Sequence, residues 1–540
     1  MKLAPAVPRA STLDRVVSWL NPAAGLRRHQ ARAQLALTGG YGGGGYTGAS
    51  STRKALKNFN PRAGSGTSDI NPDLVPLRSR TRDLSRNNPI GSAAIDTPVR
   101  HVIGTGLWPQ PRLDYEALGI SEAQAAAVAR KMERIWTAWA ESTACDVTGQ
   151  STFAQLQALI YRSILDSGDA GVLRRWKPRR WASYGVCLQV IEADRISNPR
   201  EAADTDEISA GVETDADGEP LAYHVLRAHP GDTTWGALGV KEWARVPARG
   251  EETHLQEMLL PFPISRPSQR RGVPFLAPVI ELIKQLGTYM DAEVDAAVVS
   301  AFFTAFITTT PDPEGEPGTA PLAGAGVDDD AGVSAEAGEI EMGSGAVVGL
   351  APGEDVRLAA PTRPNVAFDG FVTAISTLLG AAVGIPYEVL LKRFQNSYSA
   401  SRAALLDAWC TFALSRFWFG SLVCNPIREW VLYEAVARGE LHAPGFLSSP
   451  ARRQLWLACD WTGDAAGEID PARAALAAKL RMELFLSTLQ QETMAMTGRD
   501  WERNLEQAAK ELERRQYLKL ATAADRTAAE IAALLATEKE

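Results

Sequence analysis

No lysine or arginine occurs between Lys284 and Arg357, and the centre of that interval, PDPEGEPGTAPLAGAGVDDDAGVSAEAGEIEMGSG from Pro311, is rich in acid, proline and glycine. Such a stretch repels itself, breaks helices at its prolines and has few large apolar side chains to bury, so it forms a loop-rich module and not a packed layer. Its flanks are different. VPFLAPVIELIKQLGTYMDAEVDAAVVSAFF sets Val279, Ile283, Leu286, Met290, Val294 and Ala297 on one helical face, and NVAFDGFVTAISTLLGAAVGIP does the same for Phe371, Ala374, Ile375, Leu378, Leu379, Ala382 and Val383, with Pro386 as a stop. Two amphipathic helices, about 271–303 and 363–386, thus bracket an acidic module at about 304–362, and each carries an apolar stripe that needs a covering surface.

The rest of the chain divides by pattern. Residues 1–75 include LTGGYGGGGYTGASSTRKALKNFNPRAGSGTSDINPD, too poor in apolar surface to fold alone, and read as an extended arm. From about Leu77 a helix runs to Asn87-Asn88-Pro89, and a second follows to Gly104. Two more begin at Ser121 and Ser151, whose hydroxyls suit N-caps. From Gly171 to about Leu260 the segments GVLRRW, GVCLQVIEA, ISAGVETDADGEPLAYHVLRA and HLQEMLLPF predict a mainly β layer, which closes a region of 76–270. After a polar connector at 387–399, a long apolar helix runs from about Ala400 toward Arg438 with a kink expected at Pro426. It belongs to a segment of 400–465 that ends in the Trp-rich turn WLACDWTG. In the remaining 466–540, Asp470-Pro471 forms an N-cap and N1 pair that opens a run of helices. The fold class is α+β and mostly helical.

At 540 residues, with 45% hydrophobic and 22% charged side chains and no fixed-period repeat, the chain suits one multidomain subunit and excludes a solenoid. The net charge is −8, yet residues 1–60 hold nine Lys or Arg against the single acid Asp14, so the remainder carries −16. A basic arm of this kind suits nucleic acid or an acidic partner, and equally a solvated tail. Cys145, Cys187, Cys410, Cys424 and Cys459 form no CxxC pair, which predicts reduced thiols. The N-terminus lacks the apolar core of a secretory leader. The uncharged run Gly370–Tyr387 would just reach across a bilayer, but its Thr373, Ser376, Thr377 and one-sided periodicity predict no membrane span.

A search for catalytic groupings finds little. His29, His101, His224, His229, His254 and His442 show no zinc spacing, GGYGGGG lacks the Lys-Ser/Thr of a phosphate loop, and no GxSxG elbow occurs. Asp328, Asp329 and Asp330 are oxygen donors of the sort divalent cations choose, but adjacent acids in a loop lack ligand spacing, and no metal or cofactor is expected. Lys392 and Arg393, followed by Gln395, Asn396, Ser397 and Tyr398, are side chains that contact phosphate without reading bases; locally they serve as well to complete a helix C-terminus.

The order of elements, with YGGGGY at 41–46, RDLSRNNPIGSAAI at 82–95, DRISNP at 194–199, GVETDADGEPLAYHV at 211–225, SQRRGVP at 268–274, GIPYEVLLKRFQNSYSASRAA at 384–404 and CDWTG at 459–463, resembles the lambda-type phage portal family. The resemblance implies a portal fold of wing, stem, clip and crown, and a ring of twelve subunits in the virion, assembled in the host cytoplasm, that passes double-stranded DNA into and out of the capsid. It implies that the two amphipathic helices are the stem, packing through Val279, Ile283, Leu286, Phe371, Ile375 and Leu378. The acidic module, with Asp328, Asp329 and Asp330, would be a clip for the terminase large subunit and then for head-completion proteins. Lys392, Arg393, Gln395, Asn396, Ser397 and Tyr398 would be a tunnel loop facing DNA, 76–270 and 400–465 the wing, and 466–540 the crown. The major capsid protein would surround the ring, and no enzymatic step would belong to this chain. Two other readings stay open: a minor capsid or scaffold protein without a channel, and a nucleic-acid-processing enzyme.

Overall fold

The structure, a computed structural model, describes residues 46–50, 53–61, 63–232, 241–301, 305–309, 354–358, 368–395, 397–467, 470–498 and 501–518, together with Trp19 and Pro22. The chain forms two compact units, 1–65 and 66–540. In the first, a 3-10 turn spans Thr47–Ala49, and a hydrogen-bonded turn follows in which the Leu56 amide donates to the Arg53 carbonyl at 2.9 Å.

The second unit opens with a short helical turn at Gly66–Ile70 and a 3-10 turn at Asn71–Asp73, followed by helices α1 (Leu74–Asn87) and α2 (Pro89–Pro98). The expected break between them is made by Asn88, whose side-chain oxygen accepts from the Ile90 and Gly91 amides at 2.9 and 3.0 Å while Pro89 fills the first helical position. Beyond a π turn at Val99–Ile103 come strand β1 (Trp108–Pro111) and helices α3 (Glu122–Ala140) and α4 (Phe153–Ser167). Ser121 caps α3 as expected, and the structure adds the reciprocal bond from Gln124 that makes it a capping box. The cap of α4 is Thr152 and not Ser151, because only Thr152 stands three residues before Gln155, whose side chain returns to the Thr152 amide at 2.8 Å. Trp136 and Trp139 on α3 and Phe153 on α4 are fully buried, and the Trp139 ring N–H donates to the Val186 carbonyl at 2.8 Å.

The β layer holds β2 (Gly171–Trp176), β3 (Val186–Ile191), β4 (Ile208–Ser209), β5 (Val212–Thr214), β6 (Pro220–Leu226), β7 (Trp243–Pro247) and β8 (Met258–Leu259). They form two antiparallel sheets, ordered β3-β2-β8 and β4-β5-β6-β7. The segment HLQEMLLPF supplies only its Met258–Leu259 pair as strand, and WARVP supplies an edge strand that its bland alternation did not announce.

Where α1, α4, the β layer and the lead-in to the next helix meet lies a buried charge cluster. The Asp169 carboxylate accepts from Arg271 Nε at 2.7 Å and Nη2 at 2.8 Å, from the Gly272 amide at 3.0 Å, and more distantly from Arg78 Nη2 at 3.3 and 3.4 Å. Arg271 gives its other N–H groups to the carbonyls of Ala193, Ile196 and Ala210 at 2.6–2.8 Å, and Arg78 donates to the Ser167 carbonyl at 2.8 Å. Gly168, at φ +91°, and Gly272 make the approach possible, since a Cβ on either would lie within 2.4 Å of the other's carbonyl oxygen.

Helix α5 (Ile280–Ala301) starts from this anchor, followed by β9 (Ala305–Thr309), β10 (Glu354–Leu358) and α6 (Phe368–Val383). β9 and β10 pair antiparallel, Ala305 with Leu358 and Thr309 with Glu354, so the two ends of the acidic stretch are held side by side. Helix α7 (Tyr398–Phe419) passes through a π turn at Gly420–Cys424 into α8 (Asn425–Ala437), and Pro426 sits in the first turn of α8; the irregularity expected at this proline is therefore spread over the preceding turn. The buried Glu434 carboxylate on α8 accepts from the Gly185 and Val186 amides at 2.8 and 2.9 Å, tying this helix to β3. Helix α9 (Pro450–Leu457) leads to β11 (Cys459–Thr462), which pairs with β1; the predicted Trp-rich turn is thus partly strand, hidden in sequence because its partner contains Pro109 and Pro111. Helices α10 (Pro471–Glu483), α11 (Leu489–Thr497) and α12 (Trp501–Tyr517) complete the described chain, with Asp470 capping α10 as expected. Among the described residues no helix is long and apolar enough to cross a membrane.

Burial alone would push the Asp169 carboxyl up, but Arg271 and Arg78 hold it below the usual carboxylate range. Asp169→Ala leaves two guanidiniums without their counter-charge and should lower the unfolding free energy by about 3–5 kcal/mol, read from chemical denaturation. A depressed native pKa contributes stability that is complete above the unfolded value of about 3.9 and is lost as pH falls through the native one. The denaturation midpoint of the parent chain should therefore fall more steeply below about pH 4 than that of Asp169→Asn.

Candidate functional site

The sequence singles out 384–399, and its geometry is set by two consecutive helix terminations. Gly384, at φ +68°, ends α6, and the Ile385 amide donates back to the Gly380 carbonyl at 3.0 Å. Pro386 then starts a single turn, Tyr387–Leu390, whose Val389 and Leu390 are buried. That turn ends in the same way: Lys392 takes a left-handed conformation at φ 55°, and the Arg393 amide donates to the Glu388 carbonyl at 2.9 Å. A lysine occupies the position where glycine costs least, and its side chain is exposed.

Lys392 and Arg393, adjacent in sequence, have different fates. The Arg393 guanidinium makes a two-pronged pair with Asp369 in the first turn of α6, with Nη2 donating to Oδ2 at 2.9 Å. Hydrogen bonding from Arg393 holds the Asp369 carboxyl below its ordinary range, and Asp369 raises the guanidinium. Lys392 has no ion-pair partner among the described residues. Gln395 is exposed, Ser397 caps α7 by accepting from the Ala400 amide at 3.4 Å, and Tyr398 is the first residue of that helix. Exposed Phe394 stands between the two cations and the cap. Asn396, and Asp328, Asp329 and Asp330, lie outside the described residues.

The predicted helix stripes divide by depth. Val279, Ile283 and Leu286 are buried in the subunit's own core and Ile375 is half-buried, whereas Val294, Val298, Phe371 and Leu378 are exposed. α6 is covered along Ser376, Leu379 and Val383, and Tyr289 of α5 packs against Phe371 with ring centres 4.7 Å apart. α5 is therefore held to its own chain along the first half of its stripe and leaves the far end uncovered, whereas α6 is held along one line and leaves a second, through Phe371 and Leu378, uncovered.

Sequence patterns missed two further groups. Asp369, the partner of Arg393, was legible only as an acid at a helix start. Behind the segment, His101 stacks on Phe412 of α7 at 5.0 Å, and Arg416 of the same helix donates to the His101 and Val102 carbonyls at 2.8 and 3.1 Å. Burial and the nearby Arg100, Arg416 and Lys392 hold the His101 imidazole below its usual range. Elsewhere a cleft of about 710 Å³ is lined by Arg78, Arg82, Asp194, His229 and Trp243, but its arginines are committed to Asp169 and Asp194. Among the described residues no group of His, Cys, Asp or Glu is gathered as a metal site.

A sequence profile described as "Phage portal protein, lambda family" matches residues 52–416, which span α1 to most of α7. Portal protein B of Escherichia phage lambda is 26% identical over 498 residues, covering 88% of this chain and 90% of that protein. The portal protein of Escherichia phage N15 is 25% identical with the same coverages. A chain from the neck of a native GTA particle computed with C12 symmetry aligns at a TM-score of 0.41 and 14% identity, over 82% of this chain and 96% of that one. The protein belongs to the lambda family of phage portal proteins, an assignment that rests on the sequence matches.

Lys392→Gly separates backbone from charge at the candidate site. It should leave the fold intact and raise its stability by up to about 1 kcal/mol, because glycine enters the left-handed region without the Cβ penalty; a lowered thermal midpoint would show that the lysine side chain is structurally required.

Proposed function

We propose that this protein is the portal vertex subunit of a phage capsid, assembling as a ring of twelve around a channel for double-stranded DNA. Membership of the lambda portal family carries the reading. In it α5 and α6 are stem helices, anchored to their own wing by Val279, Ile283 and Leu286 and meeting neighbouring subunits through Val294, Val298, Phe371 and Leu378. The exposure of those four apolar side chains supports this assignment. Residues 304–362 form the clip, with Asp328, Asp329 and Asp330 on a surface for the terminase large subunit during packaging and head-completion proteins afterwards; acid there suits a basic partner face. Residues 76–270 and 400–465 form the wing, inside a shell of the major capsid protein, and 466–540 the crown.

Residues 387–399 then face the DNA. Each phosphate contact adds salt-dependent grip, so a segment that lets DNA slide should offer few free cations. Pairing of Arg393 with Asp369 leaves Lys392 as the exposed cation of the two without an ion pair among the described residues, which supports a light, sequence-blind contact. The chain performs no chemistry in this reading, and the packaging energy comes from a separate ATPase.

Negative-stain microscopy of the purified chain tests the assembly: rings with a central hole are expected, and compact monomers would refute it. Lys392→Glu should leave rings intact while reducing DNA packaged or retained in a terminase-driven assay; unchanged packaging removes Lys392 from the DNA path. Deletion of 315–345 should spare rings and abolish terminase binding in a pull-down, and undiminished binding would refute the clip assignment.

A further inference from the structure

Strands β2 and β3 are joined by a segment whose charge is opposite to that of most of the chain. Between Gly171 and Ile191 stand five cations, Arg174, Arg175, Lys177, Arg179 and Arg180, and no acid. Arg174 alone of these pairs with an acid among the described residues, Glu257 beside β8, which leaves four without a counter-charge. The acids on the elements packed against the hairpin are committed elsewhere. Asp146 accepts from the Thr148, Gln150 and Ser151 amides, Glu429 pairs with Arg453, and Glu434 and Glu440 pair with Arg438.

Two indoles stand among these cations. Trp176 and Trp181 are 61% and 62% exposed, and each ring is held on one side by its own chain. A Cβ on Gly185 would lie 3.0 Å from the Trp176 ring, and the Arg179 guanidinium stands 5.2 Å from the centre of the Trp181 ring. Arg179 is fixed there by donating to the Ala144, Asp146 and Val147 carbonyls at 2.7–2.9 Å, and Lys177 Nζ donates to the Val147 carbonyl at 3.2 Å. Carbonyls orient these cations without cancelling their charge. Arg180 is exposed and makes no ion pair among the described residues. Arg175 points to the opposite face of β2 from Trp176, where it donates to Gln189 at 3.0 Å, and is not part of this group.

Cations alone would fit any polyanion; the indoles narrow the choice. A flat ring that is held in place and open on one side stacks on another flat ring, and an unpaired nucleotide strand joins such rings to phosphates. A duplex keeps its base faces inside the stack. An acidic peptide would use the cations and leave the indole faces without partners. A membrane-binding tip would offer a continuous apolar face to the acyl region, whereas Lys177, Pro178, Arg179 and Arg180 occupy most of the sequence between the two indoles. We propose that the end of the β2–β3 hairpin binds single-stranded nucleic acid, with Lys177, Arg179 and Arg180 at phosphates and Trp176 and Trp181 stacked on bases. This contact is separate from the 387–399 segment and independent of ring assembly.

Fluorescence anisotropy of the full-length chain with a labelled oligothymidylate, and with a duplex of equal length, tests it. Trp176→Ala with Trp181→Ala should weaken single-strand binding at least about tenfold and change duplex binding by less than about twofold, while the corresponding pair of phenylalanine substitutions stays within about threefold of the parent. Trp181→Ala alone, which leaves the packing of Trp176 on Gly185 in place, should weaken it at least about threefold. Lys177→Gln with Arg180→Gln should reduce the slope of log affinity against log salt by about 1.4, since each phosphate contact to a single strand contributes about 0.7. Unchanged single-strand affinity in the alanine variants would overturn the proposal, and so would an equal loss for the duplex. Retained single-strand affinity with lost binding to phosphatidylserine vesicles would overturn it in favour of an anionic lipid surface. A changed assembly state of the alanine variants by mass photometry would overturn it in favour of a contact between copies.

Discussion

The buried Asp169 carboxylate, gripped by Arg271 and reached by Arg78, is the interaction on which the described architecture depends. It lies where α1, the end of α4, the loop after β3 and the segment entering α5 converge, and every N–H of Arg271 that it does not use is given to a backbone carbonyl of the β layer. A buried charge is tolerated only when its partners are complete, so this cluster fixes one mutual arrangement of four elements. The segments through which the chain resembles lambda-type portals meet around it: Arg82 from RDLSRNNPIGSAAI and Asp194 from DRISNP pair beside it, and Arg271 and Gly272 come from SQRRGVP. Gly211, from GVETDADGEPLAYHV, donates its amide to Asn198 of DRISNP at 2.7 Å.

From that anchor the two long helices project with a divided surface. The first half of the α5 stripe and one line of α6 are packed into the chain's own core, where each fully buried Ile or Leu contributes roughly 1.5–3 kcal/mol, and the far end of the α5 stripe and the Phe371–Leu378 line of α6 stay apolar and uncovered. An amphipathic helix ordinarily has one apolar face and one polar one. The apolar side chains left over on these two helices have a second surface to satisfy, and in our reading they satisfy it on neighbouring subunits.

The segment 384–399 joins the second of these helices to α7 by two tight terminations, and this economy has an electrostatic result. The turn that places Lys392 in the left-handed region brings Arg393 back to Asp369, so two adjacent cations become one paired and one free of any ion pair among the described residues. In our reading of this segment as the one that faces DNA, a contact of that strength guides a polyanion without arresting it.

Sequence alone determined most of the long helices and the place of the β layer, the acidic interval between Lys284 and Arg357, the caps at Ser121 and Asp470, and, through distributed motifs, the family. These are legible because helix period, capping chemistry and charge composition are local properties written in neighbouring residues. Tertiary structure alone decided that Asp169, Arg78 and Arg271 are one cluster, that Arg393 belongs to Asp369, that Ile283 is core while Val294 on the same stripe is surface, and that β1 and β11 pair despite their prolines. Each of these depends on residues brought together from distant parts of the chain, and a 3.6-residue period records which side of a helix is apolar but not which elements, or which subunit, will cover it.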